Sequence, residues 1–164
     1  MKPKTLTGSI MVRDYKQSDL EEVVALFGSS VRGMACHDYS SDQISAWAPA
    51  TPDLSAWAKR LSTGAVFVYE RENRIVGFTR IELDGNLDLL YVHPRFQRQG
   101  IAQALFERVL AWAANMGVRH LTSEVSITAR PFFEHAGFRM VGPQTIELRG
   151  VLIQNFRMER EIDA

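Results

Sequence analysis

The 164-residue sequence holds a single cysteine, Cys36. No internal disulfide can form, which suits a reducing cytoplasm. Neither sign of charge is in excess: Lys+Arg and Asp+Glu are both 19. A balanced chain gives no electrostatic reason to expect nucleic acid or an anionic membrane as partner. No window approaches the roughly 18 apolar residues of a membrane span. The opening MKPKTLTGS has lysines but no apolar segment behind them, so it does not read as a secretory signal. Repeats, low-complexity tracts and linkers are missing. His37, His93, His120 and His135 show no ligand spacing and there is no CxxC, so no metal is expected.

What is present is an ordinary globular composition, 46% apolar and 23% charged, of a length that fits one domain over 1–164. Alternation predicts a first strand at 10–15. Ser18 and Glu21 form a capping box for a helix carrying Leu20, Val23, Val24 and Phe27 at helical spacing. Ser40 to Gln43 opens a second helix that ends by Pro49. A third carries Leu54, Trp57 and Leu61 and stops at Gly64. The period then changes to two. Strands are expected around 66–69, at 75–83 and at 86–92, with turns at Glu72-Asn73 and Asp84-Gly85. A helix over 101–116 ends at Gly117, followed by a strand at 118–125, a helix at 128–136 and strands at 138–141, 145–148 and 151–158. The result is an α/β (α+β) chain, with an antiparallel meander, then strand–helix–strand, in a mixed sheet with helices on both faces.

The stretch LDLLYVHPRFQRQGIAQAL joins a buried strand to a helix through a polar loop with one glycine. The first N–H groups of a helix lack internal partners and favour an anion. Gly100 lets a phosphate approach the main chain, Ala102 is small, and Arg98 and Gln99 supply further donors. Two common phosphate signatures fail: no Lys-Ser/Thr follows Gly100, and Gly100 stands alone.

This stretch resembles the acetyl-CoA motif of the GNAT superfamily of acyltransferases, with Gln97, Gly100 and Ala102 on its three defining positions. FFEHAGF, ending at Phe138, resembles the close of that family's second motif, and the likeness extends over nearly the whole chain. It implies a GNAT-like central sheet of about seven strands with a splayed parallel pair. It also implies that main-chain groups from Arg98, Gln99, Gly100, Ile101, Ala102 and Gln103 hold a pyrophosphate. Leu90, Tyr91 and Val92 would pair with the pantetheine arm as an added strand. A bulge near the end of that strand would open the gap for the acyl group, where a strand N–H polarises the thioester carbonyl. The implied enzyme is an acetyl-CoA-dependent N-acetyltransferase that transfers directly to a primary amine of a small molecule or peptide.

An alkylamine has a pKa of roughly 8 to 10.4, so a proton must be removed before attack. Asp88 is the expected base, sharing a strand face with Asn86 and Leu90; Glu82 and Asp84 stand behind it. For the acid the chain departs from the resemblance. Phe133 occupies the position of the family's usual tyrosine and cannot donate a proton. The family's pantetheine-contacting asparagine is also missing, with Ser126 and Thr128 the nearest polar groups. Water, Tyr39, Tyr91 or His93 is left to protonate the thiolate. MACHDYSSDQISAWAP suggests acceptor recognition by His37, Asp38 and Tyr39. Trp47 is either a flat wall there or, like Trp57, core. Adjacency of Cys36 and His37 does not make a nucleophilic pair, because such partners meet in space. Arg13, Arg32 and Arg80 read as solvated. Rival readings are a non-catalytic acyl-CoA-binding regulatory module and a nucleotide-binding module on the same helix end. The exposed last strands are open to pairing in a homodimer.

Overall fold

The computed structural model describes residues 11–163. The first strand, β1, is Val12–Asp14; Ile10 and the MKPKTLTGS segment lie outside the described residues. Helix α1 (Leu20–Met34) does not start at the expected Ser18 box. A 3-10 turn, Gln17–Asp19, precedes it, and the buried Asp19 ties down the entry. The Asp19 carboxylate accepts Lys16 N–H at 2.8 Å and the Arg13 guanidinium at 2.8 and 3.0 Å. A charge-assisted, half-buried contact to β1 is stronger than a serine cap facing solvent. Arg13 is thus held between Asp19 and Glu70 rather than solvated.

Helix α2 (Ser41–Trp47) has the expected capping box between Ser40 and Gln43, and α3 (Leu54–Leu61) is capped by Asp53. Strands β2 (Ala65–Arg71), β3 (Arg74–Ile81) and β4 (Leu87–Val92) form the meander. Glu72 and Asn73 make its first turn at φ 51° and 62°. Helix α4 (Ile101–Met116), β5 (His120–Ser126), α5 (Arg130–His135), β6 (Arg139–Leu148) and β7 (Val151–Glu161) follow. The strands expected at 138–141 and 145–148 are one strand, β6, with an irregularity between Met140 and Gly142.

Among the described residues the seven strands form two sheets instead of one, in orders β1-β2-β3-β4 and β5-β7-β6. Among the described residues one parallel bridge, Asn86 to Thr122, pairs the two. Helix α4 covers one face, where Leu105, Phe106 and Val109 meet Val76, Ile81 and Leu121. Helices α1 and α3 cover the other, where Val23, Val31 and Leu61 meet Val68, Phe78 and Leu89. Gly77 on β3 sets how closely α4 lies: a Cβ there would come within 2.8 Å of Ile101 and 3.0 Å of Leu105.

Candidate active site

The cleft opens where the two sheets part. Thr122 N–H donates to Gly85 C=O at 3.1 Å, and Ser123 Oγ donates to Leu87 C=O at 2.7 Å. Beyond Leu87 no further bridge joins β4 and β5 among the described residues. The irregularity that accompanies the split lies at the start of β4, not near its end. Arg80 pairs with Leu89 and Ile81 with Leu87, which leaves Asp88 as the extra residue.

Register decides which main-chain groups face the gap. His93 N–H donates to Val76 C=O at 2.8 Å, so Val92 and Gly77 are a non-hydrogen-bonded pair. Tyr91 therefore spends both main-chain groups on Phe78, and the expectation that it pairs with a pantetheine arm is corrected. Leu90 and Val92 direct theirs to the open edge. Gln97 Nε2 donates to Val92 C=O at 2.9 Å, which leaves the Val92 N–H and both Leu90 groups.

The same bond from Gln97 folds the loop back towards α4. Arg98 and Gly100 both have positive φ, 61° and 78°, a backbone form that turns successive N–H groups into a concave anion site. The Gln99 side chain is held by Arg71. Ala104 N–H to Gly100 C=O, 3.0 Å, is the first bond of α4. The N–H groups of Ile101, Ala102 and Gln103 lie ahead of it with no carbonyl of the helix to meet. A Cβ on Gly100 would meet nothing within 4 Å, so the approach is open. These residues fit a diphosphate.

The cleft continues into a cavity of about 830 Å³ between α1, α2, α3, β4 and the second sheet. Asp88 lines it, but not as a free base. The bulge breaks the strand alternation and turns Asp88 away from Leu90 to the face of Arg80 and α3. Its oxygens accept from Arg60 at 2.8 and 2.9 Å and from Arg80 at 2.7 Å. Burial pushes its carboxyl up, yet the two guanidinium groups outweigh burial and hold it below the usual range. A carboxylate so stabilised takes up a proton poorly. Arg80, expected in solvent, is 7% exposed and also bonds Thr63.

Tyr39 is a clamp. Its hydroxyl donates to Gln154 C=O at 2.7 Å and accepts Ile127 N–H at 2.9 Å, joining the segment after α1 to β7 and to the residue that follows β5. Its one proton is already engaged. Burial raises the Tyr91 phenol to about 12, beside Trp47, which makes it a poor acid. His93 Nδ1 accepts Arg95 N–H, and burial with Arg74 and Arg95 nearby lowers its pKa. Phe133 is buried against Phe132 and Phe138 at the cleft end, and Ser126 Oγ accepts Ala129 N–H in the turn ahead of α5. Asp38 accepts Thr128 Oγ1 at 2.7 Å; His37 and Cys36 are exposed, and neither His37 nor Asp38 lines the cavity. Trp47 and Trp57 do line it, so both are core and wall at once. Sequence reading missed Arg60, Arg80 and Asn155, all brought in from distant segments. Among the described residues no cluster of His, Cys, Asp or Glu is placed to hold a metal, and no helix is long and apolar enough to cross a membrane.

Unpaired N–H groups at a helix start, beside strands that part over a cavity, suit a coenzyme-dependent acyltransferase. The comparisons agree. Residues 35–160 match the family described as Acetyltransferase (GNAT) domain, and the chain belongs to that family. The Escherichia coli protein YafP, named an uncharacterized N-acetyltransferase, is 38% identical over 151 residues, 92% of this chain and 95% of its own. The crystal structure of a GCN5-related N-acetyltransferase from Rhodopseudomonas palustris superposes with TM-score 0.89 at 28% identity, covering 92% of this chain and 94% of that one. That of the PaiA N-acetyltransferase of Thermoplasma acidophilum in complex with coenzyme A gives 0.74 at 16%, covering 92% and 97%. The protein is an acetyl-CoA-dependent N-acetyltransferase.

Proposed function

We propose that the chain, acting as one domain, moves the acetyl group of acetyl-CoA to a primary amine of a small molecule or peptide. Transfer is direct, in a ternary complex. The observation that carries this is the free edge of β4: at Val92 it meets the Gln97 side chain of the loop that opens α4, and at Leu90 it lines the cavity. The cradle from Gln97 to Gln103 takes the diphosphate. The β4 edge takes the pantetheine amides, and an N–H of Leu90 or Val92 faces the thioester carbonyl, where it would stabilise the oxyanion formed on attack. The amine nitrogen bonds to the carbonyl carbon, the C–S bond breaks, and the amine proton leaves through water. A thiol with pKa near ~8.5 departs as thiolate without an enzyme acid, in keeping with Phe133 and with the engaged hydroxyl of Tyr39.

Thermal melting and thiol release test this together. Acetyl-CoA at 100 times its Kd is expected to raise stability by about 2.7 kcal/mol, and thiol release is expected to require an amine. Gly100→Glu, which puts a carboxylate into the open approach, is expected to abolish the acetyl-CoA shift. A shift that survives this substitution would remove the cradle from the mechanism.

A further inference from the structure

We propose that Glu124 on β5 is the catalytic base, receiving through one water the proton that the acceptor's ammonium group loses before attack. The inference rests on the acetyl-transfer reading and supplies the proton acceptor that Asp88 cannot be.

Alternation along β5 sets the direction of this side chain. β5 pairs with β7 over its whole length without a break in register. Leu121 and Val125 lie in the core under α4, with Ser123 buried between them. Thr122, Glu124 and Ser126 therefore take the other face, where Ile153 and Asn155 of β7 line the cavity. Glu124 lines it too and is exposed. Arg157 stands opposite on β7, yet among the described residues Glu124 makes no ion pair with it.

Position along the strand places the carboxylate at the reaction. The parallel bridge joins Asn86 to Thr122, and the Ser123 to Leu87 bond is the last before the sheets part. Glu124 comes next on β5, level with Asp88 on β4. Leu90, whose main-chain groups face the gap, is two residues past Asp88. That interval spans about 6.6 Å of strand, which a glutamate side chain and one water cover.

The other titratable and charged groups around this space are spent or remote. Asp88 is held by Arg60 of α3 and Arg80 of β3, and Asp53 caps α3. Tyr39 donates its proton to Gln154 C=O, and burial raises the Tyr91 phenol to about 12. Glu21 is exposed on the first turn of α1, about 9 Å along the helix from Phe27, where α1 meets Tyr91. Arg32 and Arg149 border the cavity as cations and accept no proton. In the step, one N–H bond of the ammonium group breaks and its proton passes through water to a Glu124 oxygen. The freed lone pair bonds to the carbonyl carbon, the C–S bond breaks, and the second amine proton leaves to water. Glu124, open to solvent, returns its proton there.

The test is thiol release by the full chain at saturating acetyl-CoA, from pH 7 to 9.5, with phenethylamine, spermidine and lysine as acceptors. Glu124→Gln is expected to lower kcat about a hundredfold at pH 7, where most alkylamine is protonated, and progressively less towards pH 9.5. Its melting shift with acetyl-CoA is expected to match wild type. Glu124→Asp keeps the carboxylate and, with water as the bridge, is expected to hold kcat within about tenfold of wild type. Unchanged kcat in Glu124→Gln, or a rise in acceptor KM with kcat held, overturns the base and leaves acetyl transfer standing. So does a loss of equal size at pH 7 and 9.5, or an aspartate variant as slow as the glutamine one. No release with any of the three amines by the wild-type chain, despite a melting shift with acetyl-CoA, overturns acetyl transfer and the role of Glu124 with it.

Discussion

At the scale of single residues, partners decide what a side chain can do. Asp88 has the position of a base and the surroundings of a structural ion. Its folded pKa is depressed, so its contribution to stability is present above the ordinary carboxylate range and is lost as pH falls through the folded value. Asp88→Asn is expected to cost about 1–3 kcal/mol at pH 7, because it leaves the buried Arg80 short of a partner. It is also expected to flatten the acid limb of the stability curve. Chemical denaturation at a series of pH values measures both. The pH profile of turnover is expected to keep its shape, and a lost limb between pH 6 and 9 would restore Asp88 as the base. The acid was legible in the sequence. Its neutralisation was not, since Arg60 lies 28 residues away and reaches it only through folding.

At the scale of elements, local signals held where nothing distant competed. The period of α4, the Ser40–Gln43 box and the Glu72-Asn73 turn follow from neighbours in the chain. The Ser18 box failed because Arg13 on β1 recruits Asp19. The strands expected at 138–141 and 145–148 run on as β6, an edge strand, where Pro143 with no donor can be accommodated. The close packing of α4 on Gly77 makes a further test. Gly77→Ala drives a methyl against Ile101 and Leu105, the first turns of the helix that carries the cradle. Overpacking of this kind costs about 1–3 kcal/mol. The expected outcome is a lower melting temperature with a several-fold rise in Kd for acetyl-CoA. Coenzyme affinity equal to wild type in the folded variant would show that the cradle does not depend on how α4 is seated.

At the scale of the whole molecule, the division into two sheets creates the site. Among the described residues the meander and the β5-β7-β6 sheet pair at the root of β4, and the cleft is the wedge beyond it. A coenzyme lying in that wedge would add hydrogen bonds that neither sheet makes alone. Amide exchange separates the strand groups: Leu90 and Val92 are expected to exchange fast in the free protein and to slow with acetyl-CoA, while Tyr91, already bonded to Phe78, stays protected in both. Protection of Tyr91 that appears only with acetyl-CoA would reverse the register argument.

The chain by itself determined most of its elements and a helix start rich in unpaired N–H groups, because those depend on spacing within about twenty residues; the class of coenzyme follows from its likeness to the GNAT family. Tertiary structure alone decided that the sheet is split, that Asp88 is locked between arginines, and that the Tyr39 hydroxyl is spent as a clamp. Each of these turns on groups from distant segments sharing one desolvated space, and spacing along a chain carries no record of which buried partners will meet there.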